Sequence, residues 1–165
     1  MKKLYALLAT AFVVASCNND ITGLGPPSDP KTETFAASLG VNISQMSTTP
    51  DGVYYKDVAV GTGGAVTDSA SLVNVTYAGY TRDGILFDSG INVPFNLSAL
   101  IPGFRIGLMG MKEGGRRKLV IPSDLAYGGR SIKNPDGSIK IPRQSTLVFD
   151  AEVVKVTNFS ATTTP

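Results

Sequence analysis

Few side chains in this sequence are suited to covalent or metal chemistry. Histidine is absent and only one cysteine occurs among the 165 residues, which excludes histidine-based catalytic triads, His-ligated zinc sites and an internal disulfide. A carboxylate pair of the glycosidase kind would need a partner for Asp88, and no spacing places Asp124 or Asp150 opposite it. The pattern therefore disfavours catalysis by an activated nucleophile, a zinc ion or an acid pair.

Two segments suggest ligand sites in composition alone. Arg116-Arg117-Lys118 has the charge of a phosphate site, but alternate residues of a strand point to opposite faces, so a solvated strand edge is the better interpretation. Gly110, Gly114 and Gly115 lack the spacing of a phosphate-binding loop. We therefore predict no nucleotide, cofactor or metal site.

Aromatic and branched apolar residues beside predicted turns remain as candidates. Each of them alone is more typical of a protein core than of a site. Together they could line a concave apolar pocket that carries a few hydroxyl and amide groups at its rim. The set is Tyr77, Phe87, Phe95, Ile101, Phe104, Tyr127 and Phe149.

Short strands must position these residues. Leu72–Tyr80 alternates with period two, so that Val73, Val75 and Tyr77 share one face. Asp83-Gly84 is a hairpin turn signal. The predicted strands are Val53–Val60, Leu72–Tyr80, Ile85–Asp88, a short strand at Phe95 and Leu97, Arg116–Ile121 and Leu147–Val156.

One short helix completes the predicted domain. Pro102 suits a first helical turn, and Phe104 and Leu108 are spaced to lie on the same face. The sum is an α+β domain over residues 51–157, in which an antiparallel sheet of about five strands curls against one short α-helix.

The N-terminus has the features of an export signal. Lys2 and Lys3, which carry the net charge of +2, precede the apolar stretch Leu4–Ala15, and this stretch is shorter than the roughly 20 residues that cross a bilayer. Val14-Ala15-Ser16-Cys17 resembles the lipobox of bacterial lipoproteins. We expect cleavage of residues 1–16 and lipidation of Cys17, and the alternative is a secretory signal with an incidental cysteine.

The resemblance to lipoproteins predicts a location. Acyl chains on Cys17 would hold the protein on a membrane, and Asn18 is not the aspartate that favours inner-membrane retention in the enterobacterial pattern. We therefore expect an outer-membrane anchor facing the periplasm. The remaining chain is neutral, so nothing indicates nucleic acid as a partner.

Two stretches outside the domain are predicted to be simpler. Residues 18–34 are rich in Gly, Pro, Asn, Ser and Asp and predict a flexible spacer. Phe35–Met46 has apolar residues at nearly helical spacing, which predicts a small docking helix or an ordered extension. Residues 158–165 are predicted to form a disordered tail.

The order of several short motifs resembles the FKBP-type peptidyl-prolyl cis-trans isomerases. The match is collinear over about residues 51–156. Six motifs carry it: Val75-Thr76-Tyr77-Ala78-Gly79-Tyr80, Asp83-Gly84 with Phe87-Asp88-Ser89, Pro94-Phe95, Ile101-Pro102-Gly103-Phe104, Leu125-Ala126-Tyr127-Gly128, and Ile141-Pro142 with Thr146-Leu147-Val148-Phe149-Asp150. The resemblance implies an FKBP-like fold.

The resemblance also implies a proline pocket and roles for its residues. Phe104 would form the floor, where the family often has tryptophan, and the Ile101 N–H and the Tyr127 hydroxyl would each bind a substrate carbonyl. Residues 129–140, which are long for the family, would form a small hairpin over the pocket. The implied catalytic residues are Tyr77, Phe87, Asp88, Ile101, Phe104, Tyr127 and Phe149, and the implied substrate-binding residues are Phe95, Leu100 and Ile141.

The resemblance thus predicts an isomerase of X-Pro bonds in exported proteins, with macrolides as inhibitors and no cofactor. A binding module that holds proline-containing segments without turnover, or acts as a chaperone-like lipoprotein, is the alternative. A structural lipoprotein without any pocket is a third interpretation.

Overall fold

The computed structural model describes residues 27–158. The predicted signal peptide, Cys17, the first part of the predicted spacer and the tail from residue 159 lie outside the described residues. Among those that are described, one antiparallel sheet of six strands packs against one α-helix, and a separate two-stranded hairpin stands apart from the sheet. The predicted α+β class with a short helix is confirmed, and the sheet has six strands where the sequence predicts about five.

The sheet has the strand order β1-β2-β5-β8-β3-β4. Its two long inner strands, β3 and β8, follow the period-two pattern of the sequence and pair along their whole length. The strands of the sheet are β1 (Ser47–Thr48), β2 (Tyr54–Ala59), β3 (Leu72–Thr81), β4 (Leu86–Asn96), β5 (Arg116–Ile121) and β8 (Leu147–Thr157). The hairpin consists of β6 (Ile132–Lys133) and β7 (Ile139–Ile141), and it forms close to residues 129–140, where the resemblance implies it.

Strand β4 differs from the prediction of two short strands. It runs without interruption from Leu86 to Asn96, and Leu97 lies in a following 3-10 turn. Pro94 lies within β4, which is possible because β4 is an edge strand, where a missing N–H is tolerated. A register shift near Asn92, whose φ is 52°, accommodates the irregular middle of the strand.

Helix α1 (Pro102–Leu108) lies against β5 at short range. A Cβ atom at Gly103 would come within 2.2 Å of Ile121, and one at Gly107 within 2.6 Å of Leu119. Glycine at these two positions therefore allows the close approach that buries Phe104 under the sheet.

Arg117 fastens the C-terminal end of α1. Its guanidinium donates to both carboxylate oxygens of Asp57, at 2.6 and 3.2 Å, and to the carbonyl oxygens of Gly107 and Met109, at 2.9 and 3.3 Å. The predicted strand edge is therefore wrong, because β5 lies inside the sheet between β2 and β8. The Arg116 side chain is solvated as predicted, at 60% exposed, whereas that of Arg117 is 11% exposed.

The two faces of the sheet bury different clusters. One face packs with α1 into the main core, while the other face is covered by residues 35–46. This stretch forms two 3-10 turns, Ala37–Leu39 and Ile43–Gln45, so it is an ordered extension rather than an α-helix. Leu39 anchors it, with a side chain that is 5% exposed.

The ordered chain also reaches into the predicted flexible spacer. Pro30 is buried, and Ser28 hydrogen-bonds to Ser123. Residues 27–34 thus depart from the predicted spacer, because Ser28 bonds to Ser123 and Thr146 and Glu33 pairs with Arg82. No helix within residues 27–158 is long and apolar enough to cross a bilayer.

Candidate active site

A cleft of about 280 Å³ opens between α1, the sheet and the segment after β5. Nine of the ten residues that the family resemblance implies lie along it. They are Tyr77, Phe87, Asp88, Phe95, Leu100, Ile101, Phe104, Tyr127 and Phe149. Strands β3, β4 and β8 supply aromatic walls, and α1 supplies the floor.

Packed aromatic rings make the base of the cleft. Phe104 is 3% exposed, and its ring centroid lies 4.6 Å from that of Phe149 and 6.1 Å from that of Tyr77. Phe95 lies on the other side of Tyr77, at 5.6 Å between centroids. Such ring contacts stabilise the arrangement beyond simple burial, so the base is apolar and closely packed.

A second wall of the cleft is formed by the Phe87 and Phe149 rings, which pack over Gly79 in β3. Phe87 and Phe149 meet edge to face, with centroids 5.6 Å apart and ring planes at 88°. A Cβ at Gly79 would lie 2.7 Å from Phe149 and 2.8 Å from Phe87. The absence of a side chain therefore sets the position of both rings. The sequence shows Gly79 only as part of the family motif, since nothing local indicates which rings would cross it.

The rim carries a hydrogen-bonded pair. The Tyr77 hydroxyl donates to Asp88 at 3.0 Å, and the second carboxylate oxygen of Asp88 accepts the Ser89 N–H at 3.1 Å. Burial, followed by the hydrogen bond to Asp88 and the negative charge of that residue, raises the pKa of Tyr77 to about 12. Tyr77 is therefore a neutral donor at physiological pH.

Two further donors at the rim have no acceptor within residues 27–158. The Ile101 N–H precedes α1 and donates to no described group, while the Ile101 carbonyl accepts from Phe104 and Arg105. The Tyr127 hydroxyl likewise makes no hydrogen bond there. Burial, and then the charge of Asp88, raises the pKa of Tyr127, so it too stays protonated. Both groups are available to a carbonyl oxygen.

Ile141 is the one residue of the implied set that does not line the cleft, and its role in substrate binding stays a prediction. It ends β7, pairs with Ile132, and is only 2% exposed within the main core. Ala99 lines the cleft instead, and sequence reasoning missed it because a small exposed residue in a 3-10 turn carries no signal.

Among residues 27–158, neither Asp124 nor Asp150 is paired with Asp88. Asp150 forms an ion pair with Lys118, at 2.6 Å, and Asp124 accepts the Leu125 N–H. Within residues 27–158, no group of three or more acidic, cysteine or histidine side chains is placed to hold a metal ion. What the cleft offers is an apolar volume bordered by neutral hydrogen-bond donors and by the Asp88 carboxylate.

Comparison with known proteins gives a consistent result. The sequence profile of the family described as FKBP-type peptidyl-prolyl cis-trans isomerase matches residues 64–154, more than half of the chain. FK506-binding protein 4 of Dictyostelium discoideum is 42% identical over 115 residues, which cover 67% of this chain and 30% of that protein. The FKBP-type peptidyl-prolyl cis-trans isomerase FkpA of Escherichia coli is 41% identical over 128 residues, which cover 75% of this chain and 43% of that protein.

Solved structures share the fold. The crystal structure of FkpA from Escherichia coli matches with a TM-score of 0.58 and 40% identity, over 67% of this chain and 51% of that one. The crystal structure of AtFKBP13 matches with a TM-score of 0.61 and 32% identity, over 68% of this chain and 99% of that one. The aligned part thus spans less than half the length of the two curated relatives above, and nearly all of the AtFKBP13 chain.

Proposed function

Because this chain belongs to the family of FKBP-type peptidyl-prolyl cis-trans isomerases, we propose that it accelerates the rotation of X-Pro peptide bonds. The observation that carries the proposal is the cleft itself, in which an aromatic floor and walls meet a rim of neutral donors. A prolyl ring resting on Phe104 would place its preceding amide at the height of that rim.

The cleft would act by removing water. Rotation of the bond meets a barrier of about 18 to 20 kcal/mol because twisting destroys amide resonance. The planar amide is charge-separated and well hydrated, whereas the twisted amide is less polar. Transfer to an apolar cleft therefore penalises the planar ground state more than the transition state, and every tenfold in rate requires about 1.4 kcal/mol of this difference.

The rim would orient the substrate, and the Ile101 N–H would favour its twisted geometry. The Ile101 N–H and the Tyr127 hydroxyl, which lack acceptors among the described residues, would each bind a carbonyl oxygen flanking proline. Asp88 would fix the ring of Tyr77 through its hydrogen bond. None of these groups needs to gain or lose a proton, so the proposed reaction has no acid-base step.

The proposed substrates are proline-containing segments of exported proteins. The support lies in the signal-like N-terminus and in Val14-Ala15-Ser16-Cys17, and these also support a lipid anchor on the outer membrane facing the periplasm. Cys17→Ser tests the anchor. We expect the variant to fractionate with soluble protein, and membrane association equal to that of the unaltered chain would contradict lipidation.

An isomerisation assay tests the activity. The full chain is mixed with a proline peptide, and relaxation of the cis isomer is followed against the uncatalysed process, which takes tens to hundreds of seconds. We expect saturable acceleration that a macrolide such as FK506 suppresses, since one relative is named as an FK506-binding protein. Peptide binding with no acceleration would contradict the proposal and leave a proline-binding module.

A further inference from the structure

Ser28 makes a reciprocal pair of hydrogen bonds with Ser123, a residue far away in the sequence. The Ser28 N–H donates to Ser123 Oγ at 3.0 Å, and the Ser123 N–H donates to Ser28 Oγ at 2.8 Å. Ser28 Oγ also accepts from Thr146 Oγ1, at 2.8 Å, while Ser123 Oγ donates to Gln144 Oε1, at 3.0 Å. Ser123 and Thr146 are both fully buried.

Ser123 in turn holds the turn that carries Tyr127. Its carbonyl oxygen accepts from the Ala126 N–H, at 3.0 Å, and from the Gly128 N–H, at 2.7 Å, so the two bonds enclose Tyr127. The Gly128 carbonyl accepts from the Gln144 N–H, at 2.8 Å. Tyr127 therefore sits in a turn whose first residue is fixed through its own N–H by Ser28.

The role of Ser28 is difficult to replace locally. The Ser123 N–H is buried in the first residue of the 3-10 turn Ser123–Leu125. The first N–H that bonds within this turn is that of Leu125, which donates to the Pro122 carbonyl, so the turn itself offers Ser123 N–H no acceptor. Without the oxygen of Ser28 this donor would have no acceptor, and a buried unpaired donor is costly. The turn would relieve that cost by shifting toward water, and Tyr127 would move with it.

We propose that Ser28 is a positioning residue for the cleft: it fixes Ser123 and thereby aims the Tyr127 hydroxyl at the substrate. The inference rests on the proposed isomerase function and adds to it a residue outside the sheet. The N-terminal segment would then belong to the working enzyme rather than to a passive tether.

Ser28→Ala in the full chain removes the acceptor. Because Tyr127 would bind substrate equally in ground and transition states, we expect KM to rise about three- to tenfold, as for loss of one hydrogen bond, with kcat within about twofold. Ser28→Thr keeps the oxygen and restores KM. Hydrogen exchange at the Ser123 and Gly128 amides should be faster in Ser28→Ala than in the other two proteins.

Two control variants separate positioning from stability. Ser44→Ala removes an exposed serine of the same N-terminal segment, whose hydroxyl bonds only locally to Asn42, and should behave as wild type. Leu39→Ala removes apolar packing between residues 35–46 and the opposite face of the sheet, and it leaves the hydrogen bonds of Ser28 in place. Amide hydrogen exchange should become faster throughout the domain in this variant. The fraction of folded, active protein should fall, which lowers the apparent kcat and leaves KM unchanged.

Unchanged KM in Ser28→Ala would overturn the inference even if exchange at Ser123 became faster, because the bond would then be structural only. A rise in KM that Ser28→Thr does not restore would overturn it as well. If the wild type accelerates nothing, the proposed function fails, and the dissociation constant of the proline peptide replaces KM. Weaker binding by Ser28→Ala alone would then support the positioning role, and equal binding would refute it.

Discussion

The Tyr77 hydroxyl donates a hydrogen bond to the Asp88 carboxylate across the mouth of the cleft, with 3.0 Å between the two oxygens. Tyr77 lies on β3 and Asp88 on β4, so the bond links the paired strands at the point where both face the proposed substrate. The pair gives the rim a fixed donor and acceptor above an otherwise apolar floor.

Asp88→Asn should weaken turnover without abolishing it. The amide oxygen still accepts the Tyr77 O–H, and the proposed mechanism transfers no proton, so we expect kcat/KM to fall by about two- to tenfold, the range for one weakened hydrogen bond. The pKa of Tyr77 should also fall from about 12 toward 10.0, since two of its causes come from Asp88. Peptide isomerisation and absorbance titration measure the two effects.

Asp83→Asn is the matched control for that substitution, because Asp83 lies at the exposed hairpin turn, with a side chain that is 68% exposed. It should leave both quantities unchanged. Complete loss of turnover in a folded Asp88→Asn protein would indicate acid-base chemistry and would contradict the desolvation mechanism.

The Tyr77 hydroxyl should lose its proton at a higher pH than an ordinary tyrosine does. Its pKa is about 12 in the fold against an ordinary tyrosine value of 10.0, so the neutral form is favoured by folding. The corresponding stability is fully present below pH 10 and is lost as pH rises through 12. Phenolate absorbance should show one tyrosine titrating near 12 that disappears in Tyr77→Phe. Tyr80→Phe, on the opposite face of β3, is the control, and titration of Tyr77 near 10 would argue against its burial beside Asp88.

Gly79→Ala should deform the wall of the cleft. The added methyl would lie within 2.8 Å of Phe87 and Phe149, and such overpacking costs about 1 to 3 kcal/mol. We expect a lower free energy of unfolding together with weaker peptide binding, measured by denaturant titration and by KM.

Gly64→Ala provides the comparison, because its new methyl would meet nothing closer than 3.9 Å. This variant should keep both stability and KM. Full retention of KM in Gly79→Ala would mean that the Phe87 and Phe149 rings do not shape the binding surface.

Local patterns were sufficient for most of the framework. The alternation in Leu72–Tyr80, the turn signal at Asp83-Gly84 and the Pro102 helix start all appear in the structure close to their predicted places. These features depend on neighbours within a few residues, which a sequence displays directly. The aromatic set could be proposed as a pocket because its members share one chemistry.

Long-range contacts account for what the sequence could not predict. Ser28 looks like part of a spacer until Ser123 is placed beside it, and Arg117 looks solvated until Asp57 and the end of α1 surround it. Ile141 carries the same apolar side chain whether it faces the cleft or the core. In each case the partner is set by the fold, so no local pattern could reveal it.

Phe104 is the central element of the proposed cleft, and Leu108 is a buried neighbour on the same helix that lines no part of it. Truncation of either to alanine should cost stability, about 3 to 5 kcal/mol for Phe104 and about 2 to 5 kcal/mol for Leu108. The two variants therefore share a folding penalty and differ in the floor of the cleft.

The most direct test compares the isomerisation rate of a proline peptide with wild type, Phe104→Ala and Leu108→Ala, each at a temperature where unfolding curves show the protein to be folded. We predict acceleration by the wild type and by Leu108→Ala, and none by Phe104→Ala. Equal acceleration by folded Phe104→Ala and Leu108→Ala would contradict the claim that an apolar floor under the prolyl ring drives the reaction.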